Sequence, residues 1–253
     1  LKRDTNFSKP LHILLGGALI FGLVGADAAV GEGMRGHYFR PAPEGARFES
    51  AVTKSDFVAR ADGKRHLVLI IVESLGVPKN NRAMSDKLFA QYKSRAVTDR
   101  YEVSQGTSLY YNSTTSGEMR ELCGRWGDYY ELLASDDSKA LDCLPAQLAR
   151  KGYATQAMHS FKGPFFKRED WYPKIGFQKR EFAVDLEKRG AEWCGGVFAG
   201  ACDRQVPKML AENLKRATQP TFQYWLTCRS RPSRICMPKI AKKCRLNWRA
   251  TIR

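Results

Sequence analysis

The stretch His66-Leu67-Val68-Leu69-Ile70-Ile71-Val72-Glu73 decides how the fold is read. Six consecutive Leu, Val or Ile residues, Leu67 to Val72, predict a strand buried on both faces, as in a parallel sheet. The run stops at a carboxylate, Glu73. Downstream, Leu141 to Lys151 has helical spacing and meets a C-terminal cap at Gly152. Tyr153 to Met158 predicts a second strand, reaching His159. Cys202-Asp203 opens a further helix, with Asp203 as the expected N-cap and Val206, Met209, Leu210 and Leu214 on one face. Thr221 to Thr227 predicts a third strand. Strand, helix, strand, helix, strand is an α/β pattern built on a mostly parallel central sheet flanked by helices. In such sheets reactive groups gather past the carboxyl ends of the strands, where Glu73 and His159 stand.

The chain has 253 residues, 43 % of them hydrophobic, which is enough for a real core and excludes wholesale disorder. Its formal net charge is +16, from 42 Lys+Arg against 26 Asp+Glu. Nine of those cations, and no acid, fall in residues 228–253, so the remainder carries only +7. The tail, with its own cysteines Cys228, Cys236 and Cys244, reads as an aberrant basic segment: a frame-shifted or foreign sequence, or a stretch that touches anionic lipid. With the charge divided in this way, nucleic acid is not expected as a partner.

Residues 1–30 hold the apolar run Leu11 to Ala26, preceded by Lys2, Arg3 and Lys9. Its length lies between a signal-peptide core and a spanning helix, so it reads as a membrane anchor or a signal segment in an apolar N-terminal helix. Either way the basic end stays in the cytoplasm, and the chain beyond about residue 30 is exported. Residues 31–65, rich in Gly, Pro and charge, read as a linker, and residues 66–227 as the folded domain. The start at Leu1 reads as a fragment or processed product. Cys123, Cys143, Cys194 and Cys202 show no metal-ligand spacing. Two local disulfides are the preferred arrangement, Cys123–Cys143 and Cys194–Cys202; the alternatives are other pairings or four reduced thiols.

Three groups of residues carry chemistry. Glu73 is a hard oxygen ligand suited to a divalent metal, or a solvated strand-end acid. Thr114-Thr115-Ser116-Gly117-Glu118 precedes a helix-forming stretch and fits a capping box between Thr115 and Glu118. The same geometry faces a Thr hydroxyl towards free backbone N–H groups, suiting a nucleophile. His159, followed by Phe165, Phe166, Lys167 and Arg168, is a structural histidine or part of an anion-binding rim.

In this order and spacing, Val-Glu-Ser, Thr-Thr-Ser-Gly-Glu…Leu-Cys-Gly and His-…-Phe-Phe-Lys-Arg resemble the membrane-anchored sulfatase-like phosphotransferases of the alkaline phosphatase superfamily. The nearest pattern is that of lipoteichoic acid synthases and phosphoglycerol transferases, with phosphoethanolamine transferases more distant. The likeness runs from about Leu67 to Thr227. It implies Glu73 as first metal ligand and Thr114 as nucleophile and metal ligand, with Thr115 as fallback. It implies His159, Phe166 and Arg168 in substrate binding, Phe166 standing where a Trp is the family's residue. The implied cofactor is a divalent metal (Mn, Zn or Mg). The implied reaction moves a phospho-alcohol head group from a phospholipid donor to an envelope glycan or lipid through a phospho-Thr intermediate. The implied location is the inner (cytoplasmic) membrane, with the domain facing the periplasm or cell exterior.

The resemblance also implies further metal ligands, from a Ser-His segment and an Asp-His pair, that have no counterpart here. No His comes after His159 and no acid after Thr227. The chain is therefore expected to hold only the N-terminal part of such a domain, to be inactive as it stands, and to leave a sheet edge uncovered. Competing readings are a phosphodiester or sulfate-ester hydrolase of the same superfamily and a non-enzymatic basic membrane-binding protein. Formylglycine chemistry is disfavoured, since Cys143-Leu-Pro145 and Cys236-Met-Pro238 lack the required Arg. No Gly-x-Ser-x-Gly elbow is present.

Overall fold

The computed structural model describes residues 10–30, 42, 44–73, 80–109, 111–134, 142–196 and 198–228. The expectation for the basic tail, apart from Cys228, lies outside the described residues. The chain divides into two compact units, Leu1–Ala46 with Tyr111–Ser113, and Arg47–Tyr110 with Thr114–Arg253.

The first unit contains helix α1, Pro10–Val30, over the apolar run. Leu14, Leu19, Phe21 and Val24 are exposed on it. Among the described residues no helix is long and apolar enough to cross a membrane.

The second unit is an α/β body. In chain order it holds α2 (Ala51–Lys54), β1 (Leu67–Ile71), α3 (Arg82–Phe89), α4 (Arg95–Thr98), α5 (Thr114–Cys123), α6 (Tyr129–Ala134), α7 (Leu144–Arg150) and β2 (Ala154–His159). After these come α8 (Arg168–Lys174), β3 (Lys179–Glu181), α9 (Ala183–Lys188), the two-stranded β4 (Trp193–Cys194) and β5 (Gly200–Ala201), α10 (Val206–Arg216) and β6 (Thr221–Leu226). Four strands form one parallel sheet in the order β1-β6-β2-β3.

β6 occupies the middle of this sheet, and all six of its residues are buried. Successive side chains alternate between the two faces, as strand geometry requires. Phe222, Tyr224 and Leu226 enter one core with Met119, Leu122, Leu144, Leu148, Trp171 and Tyr172. Trp225 enters the other, with Met158, Leu186, Val206, Met209 and Leu210. Each fully buried side chain of this kind contributes about 1.5–3 kcal/mol.

The run expected to be buried on both faces behaves differently. β1 is the last strand at its edge of the sheet among the described residues. Leu67, Leu69 and Ile71 pack on the first core, and only Val68 reaches the second. Ile70 is 46 % exposed and Val72 40 %. The second helix layer covers β6 and β2 and ends at Val68, so an apolar strand is left half bare. The doubly covered strand is β6, despite its Thr221 and Gln223.

Helix α7 ends as its sequence dictates. Gly152 adopts a left-handed φ of 83°. Tyr153 N–H donates to Leu148 O at 3.1 Å and Gly152 N–H to Ala149 O at 3.0 Å, the paired bonds of a Schellman cap. Helix α10 departs from expectation. Its N-cap is Gln205, with Pro207 in its first turn. Asp203 does not cap it, because that carboxylate is already engaged: it accepts from Ser160 Oγ and, at 3.0 Å, from Cys228 N–H. Within the stretch read as linker, residues 47–60 carry α2 and a 3-10 turn, and Ser50 and Val52 are buried. Ser50 Oγ and Val52 N–H both donate to Glu121 Oε2 on α5, at 2.8 and 3.0 Å. Both preferred disulfides, Cys123–Cys143 and Cys194–Cys202, are formed.

Candidate active site

Glu73 lies just past the carboxyl end of β1 and is held there by the central strand. Thr227 N–H donates to Ile71 O at 3.0 Å, and Glu73 N–H donates to Thr227 Oγ1 at 3.1 Å. This extends the β1–β6 pairing by one step and fixes the carboxylate's starting point.

Thr114 is the first residue of α5 and donates from Oγ1 to Glu73 Oε1 at 2.8 Å. The first turn of a helix presents N–H groups without intrahelical partners and the positive end of the helix dipole. A hydroxyl here, on a carboxylate that accepts its proton, sits where developing negative charge is favoured. Thr115 is 1 % exposed and its hydroxyl lies 3.4 Å from Asp128 Oδ2, with Ser116 Oγ 3.5 Å from the same oxygen. Of the two threonines, the one beside Glu73 is therefore Thr114.

The Glu73 carboxyl is pushed above its usual range, chiefly by burial. The Thr114 hydrogen bond and the Arg168 charge oppose this, while Glu118 and Asp203 add to it.

The capping-box alternative for Thr115 and Glu118 gives way to a different arrangement. Glu118 is fully buried. Its Oε2 accepts from Arg168 Nε at 3.0 Å and Nη2 at 2.7 Å; its Oε1 accepts from Tyr172 OH at 2.5 Å and Tyr224 OH at 3.0 Å. Arg168 is 1 % exposed, so it is a buried partner of Glu118 and not part of an open rim. Its Nη1 also donates to Phe165 O at 3.3 Å, and its guanidinium lies 5.3 Å from the Phe166 ring centre. Phe166 adopts a left-handed φ of 55° and is half-buried, edge-on to Tyr129.

His159 ends β2 beside the end of β6 and is 2 % exposed. Its Nδ1 is 3.0 Å from Leu226 O, so the neutral ring carries its proton on Nδ1. Nε2 is buried with no hydrogen-bond partner among the described residues. Burial, followed by the Arg168 charge, holds the imidazole well below its usual titration range, so it is neutral at pH 7.

Glu73 and Thr114 offer two oxygens to a cation. Among the described residues no group of three or more His, Cys, Asp or Glu is placed to hold a metal ion. Two donors do not satisfy the six or so oxygens a hard divalent ion takes, so the described residues by themselves do not fit a complete metal site.

Sequence reading gave no role to Tyr172, Tyr224 or Thr227, and misassigned Asp203. The period-2 alternation of Thr221 to Thr227 is the signal that places Tyr224 on the face of Phe222 and Leu226. Nothing local marks Tyr172.

These features define an α/β domain with a hydroxyl–carboxylate pair past the carboxyl end of a parallel sheet. Its fold is similar to that of the lipoteichoic acid synthase LtaP from Listeria monocytogenes, at 18 % identity and a TM-score of 0.45 over 66 % of this chain and 41 % of that one. It is likewise similar to a protein in the alkaline phosphatase superfamily from Vibrio parahaemolyticus, at 20 % identity and a TM-score of 0.49 over 66 % of this chain and 41 % of that one. The chain thus spans well under half the length of either structure. No family model matches the sequence, and no curated protein matches it.

Proposed function

We propose that residues 66–227 are the nucleophile-bearing part of a sulfatase-like phosphotransferase, with Thr114 as nucleophile and Glu73 as the group that takes its proton. The observation that carries this is the 2.8 Å hydrogen bond from Thr114 Oγ1 to Glu73 Oε1 at the start of α5. Thr114 Oγ attacks the phosphorus of a phospholipid head group as its proton passes to Glu73. The phosphorus–oxygen bond to diacylglycerol breaks, and the departing oxygen takes the proton. The head group is left esterified on Thr114 through its phosphate, ready for a hydroxyl of an envelope glycan or lipid.

His159 keeps a neutral, buried Nε2 with no partner among the described residues, and a head-group hydroxyl that reaches it donates the missing hydrogen bond. The two disulfides support an oxidising compartment, consistent with a domain facing the periplasm or cell exterior and α1 at the inner membrane. Capture on Thr114 needs only the Thr114–Glu73 pair, so a single transfer is expected of this chain even though the resemblance implied an inactive one.

The test uses the 253-residue protein with vesicles of phosphatidylglycerol labelled in the head group. The proposal predicts that up to one label per chain is retained, that diacylglycerol is released in equal amount, and that Thr114→Ala retains none. Retention by Thr114→Ala contradicts it.

A further inference from the structure

We propose that Glu118 is the positioning residue of the nucleophile helix, and that Arg168 acts through Glu118 and not on the substrate. The inference rests on the assignment of Thr114 above and explains why Thr114, and not Thr115, meets Glu73.

Glu118 lies four residues after Thr114, one turn along α5 on the same helix face. Both of its oxygens accept two hydrogen bonds, so its carboxylate is fully engaged. The donors come from two other elements. Arg168 and Tyr172 belong to α8, and Tyr224 belongs to β6, the central strand. The same strand leads to Thr227, which holds the Glu73 backbone. Nucleophile and acceptor are therefore referred to one common strand, the first through Glu118 and the second through Thr227.

A buried carboxylate or guanidinium that loses its partner is costly. Sliding α5 by one residue would bring Met119, which is fully buried and apolar, opposite Arg168 and two tyrosine hydroxyls. The same slide would bring Thr115 towards Glu73. The network thus selects one helix register, and that register selects the nucleophile. Arg168 also bonds Phe165 O and faces the Phe166 ring, so the turn carrying Phe166 is tied to the same anchor. Its guanidinium is buried, with Nε and Nη2 both turned onto Glu118 Oε2 and Nη1 onto Phe165 O, so it faces the anchor and not open solvent.

The test compares the full chain with its Glu118→Gln variant by hydrogen exchange and by Thr114 labelling. The amides of residues 118–121 bond back to the first turn of α5 and report its order. In Glu118→Gln they are expected to exchange at least tenfold faster, with β2 and β6 unchanged. Labelling of Thr114 at saturating donor is expected to fall at least tenfold, with label appearing on Thr115. Unchanged exchange at 118–121 overturns the proposal whether or not the parent chain is labelled. So does a folded variant that is less stable but labels at the parent rate on Thr114. An unlabelled parent chain instead counts against the Thr114 assignment. If Glu118→Gln does not fold, Tyr224→Phe removes one donor to Oε1 and is expected to give the same changes at about threefold. Parent-like exchange and labelling in Tyr224→Phe then overturn the proposal.

Discussion

Thr114 Oγ1 donates to Glu73 Oε1 at 2.8 Å across 41 residues of sequence, joining the start of α5 to the end of β1. Replacing Glu73 with Gln keeps an oxygen that accepts this bond but removes the group that takes the proton. General-base assistance is worth about 10²–10⁴ in rate. Label transfer to Glu73→Gln is therefore expected to slow by about a hundredfold or more. Its thermal unfolding is expected to match the parent's, as calorimetry would show.

His159 gives stability a definite pH dependence. Its folded pKa is depressed by burial, while in the unfolded chain it titrates near 6.5. Below that value the unfolded state binds a proton that the folded state refuses. Stability is therefore lost as pH falls from about 6.5, by up to about 1.4 kcal/mol per pH unit. Urea unfolding at pH 7, 6 and 5 should show this slope, and His159→Gln should lessen it by the share of one proton.

The two disulfides should differ in worth. Cys123 and Cys143 are 20 residues apart, and Cys194 and Cys202 are 8 apart. The loop-entropy relation assigns about 3.3 kcal/mol to the longer loop and about 2.5 kcal/mol to the shorter. Paired Cys→Ala replacements, compared by urea midpoints, should rank in that order.

Phe222 is fully buried on β6, edge-on to Phe57 and stacked on Phe177. Truncation to Ala leaves a cavity between strand and helices, and is expected to cost about 3–5 kcal/mol. Ile70→Ala, on the bare face of β1, is expected to cost well under half of that. Equal losses at the two positions would mean that β1 is covered in solution.

The same contrast shows what the sequence disclosed. Strands β2 and β6, helix α7 with its Gly152 cap, and both disulfides are legible from local signals: apolar runs, a glycine in the left-handed region and short cysteine spacings. The burial of β1 is not. A continuous apolar run reports that a strand is suited to two covered faces, and whether the covers are present depends on other elements. Asp203 has the residue type and position of an N-cap, but it is bonded to Ser160 and Cys228. Glu118 sits three residues after Thr115, the spacing of a capping box. Its actual partners, Arg168 and Tyr224, are 50 and 106 residues away. Spacing within a helix carries no information on such distant donors. Glu73 and His159 drew notice because each stands where a predicted strand ends, whereas the choice of Thr114 over Thr115 came from the family resemblance and not from local position.

The most direct test of the account is the site of covalent capture. The 253-residue chain is incubated with phosphatidylglycerol, digested, and mapped by mass spectrometry for a glycerophospho group. The account predicts the group on Thr114, on no other residue, and absent from Glu73→Gln over the same interval. A glycerophospho group on any other residue of the parent chain, or none on Thr114, would contradict it.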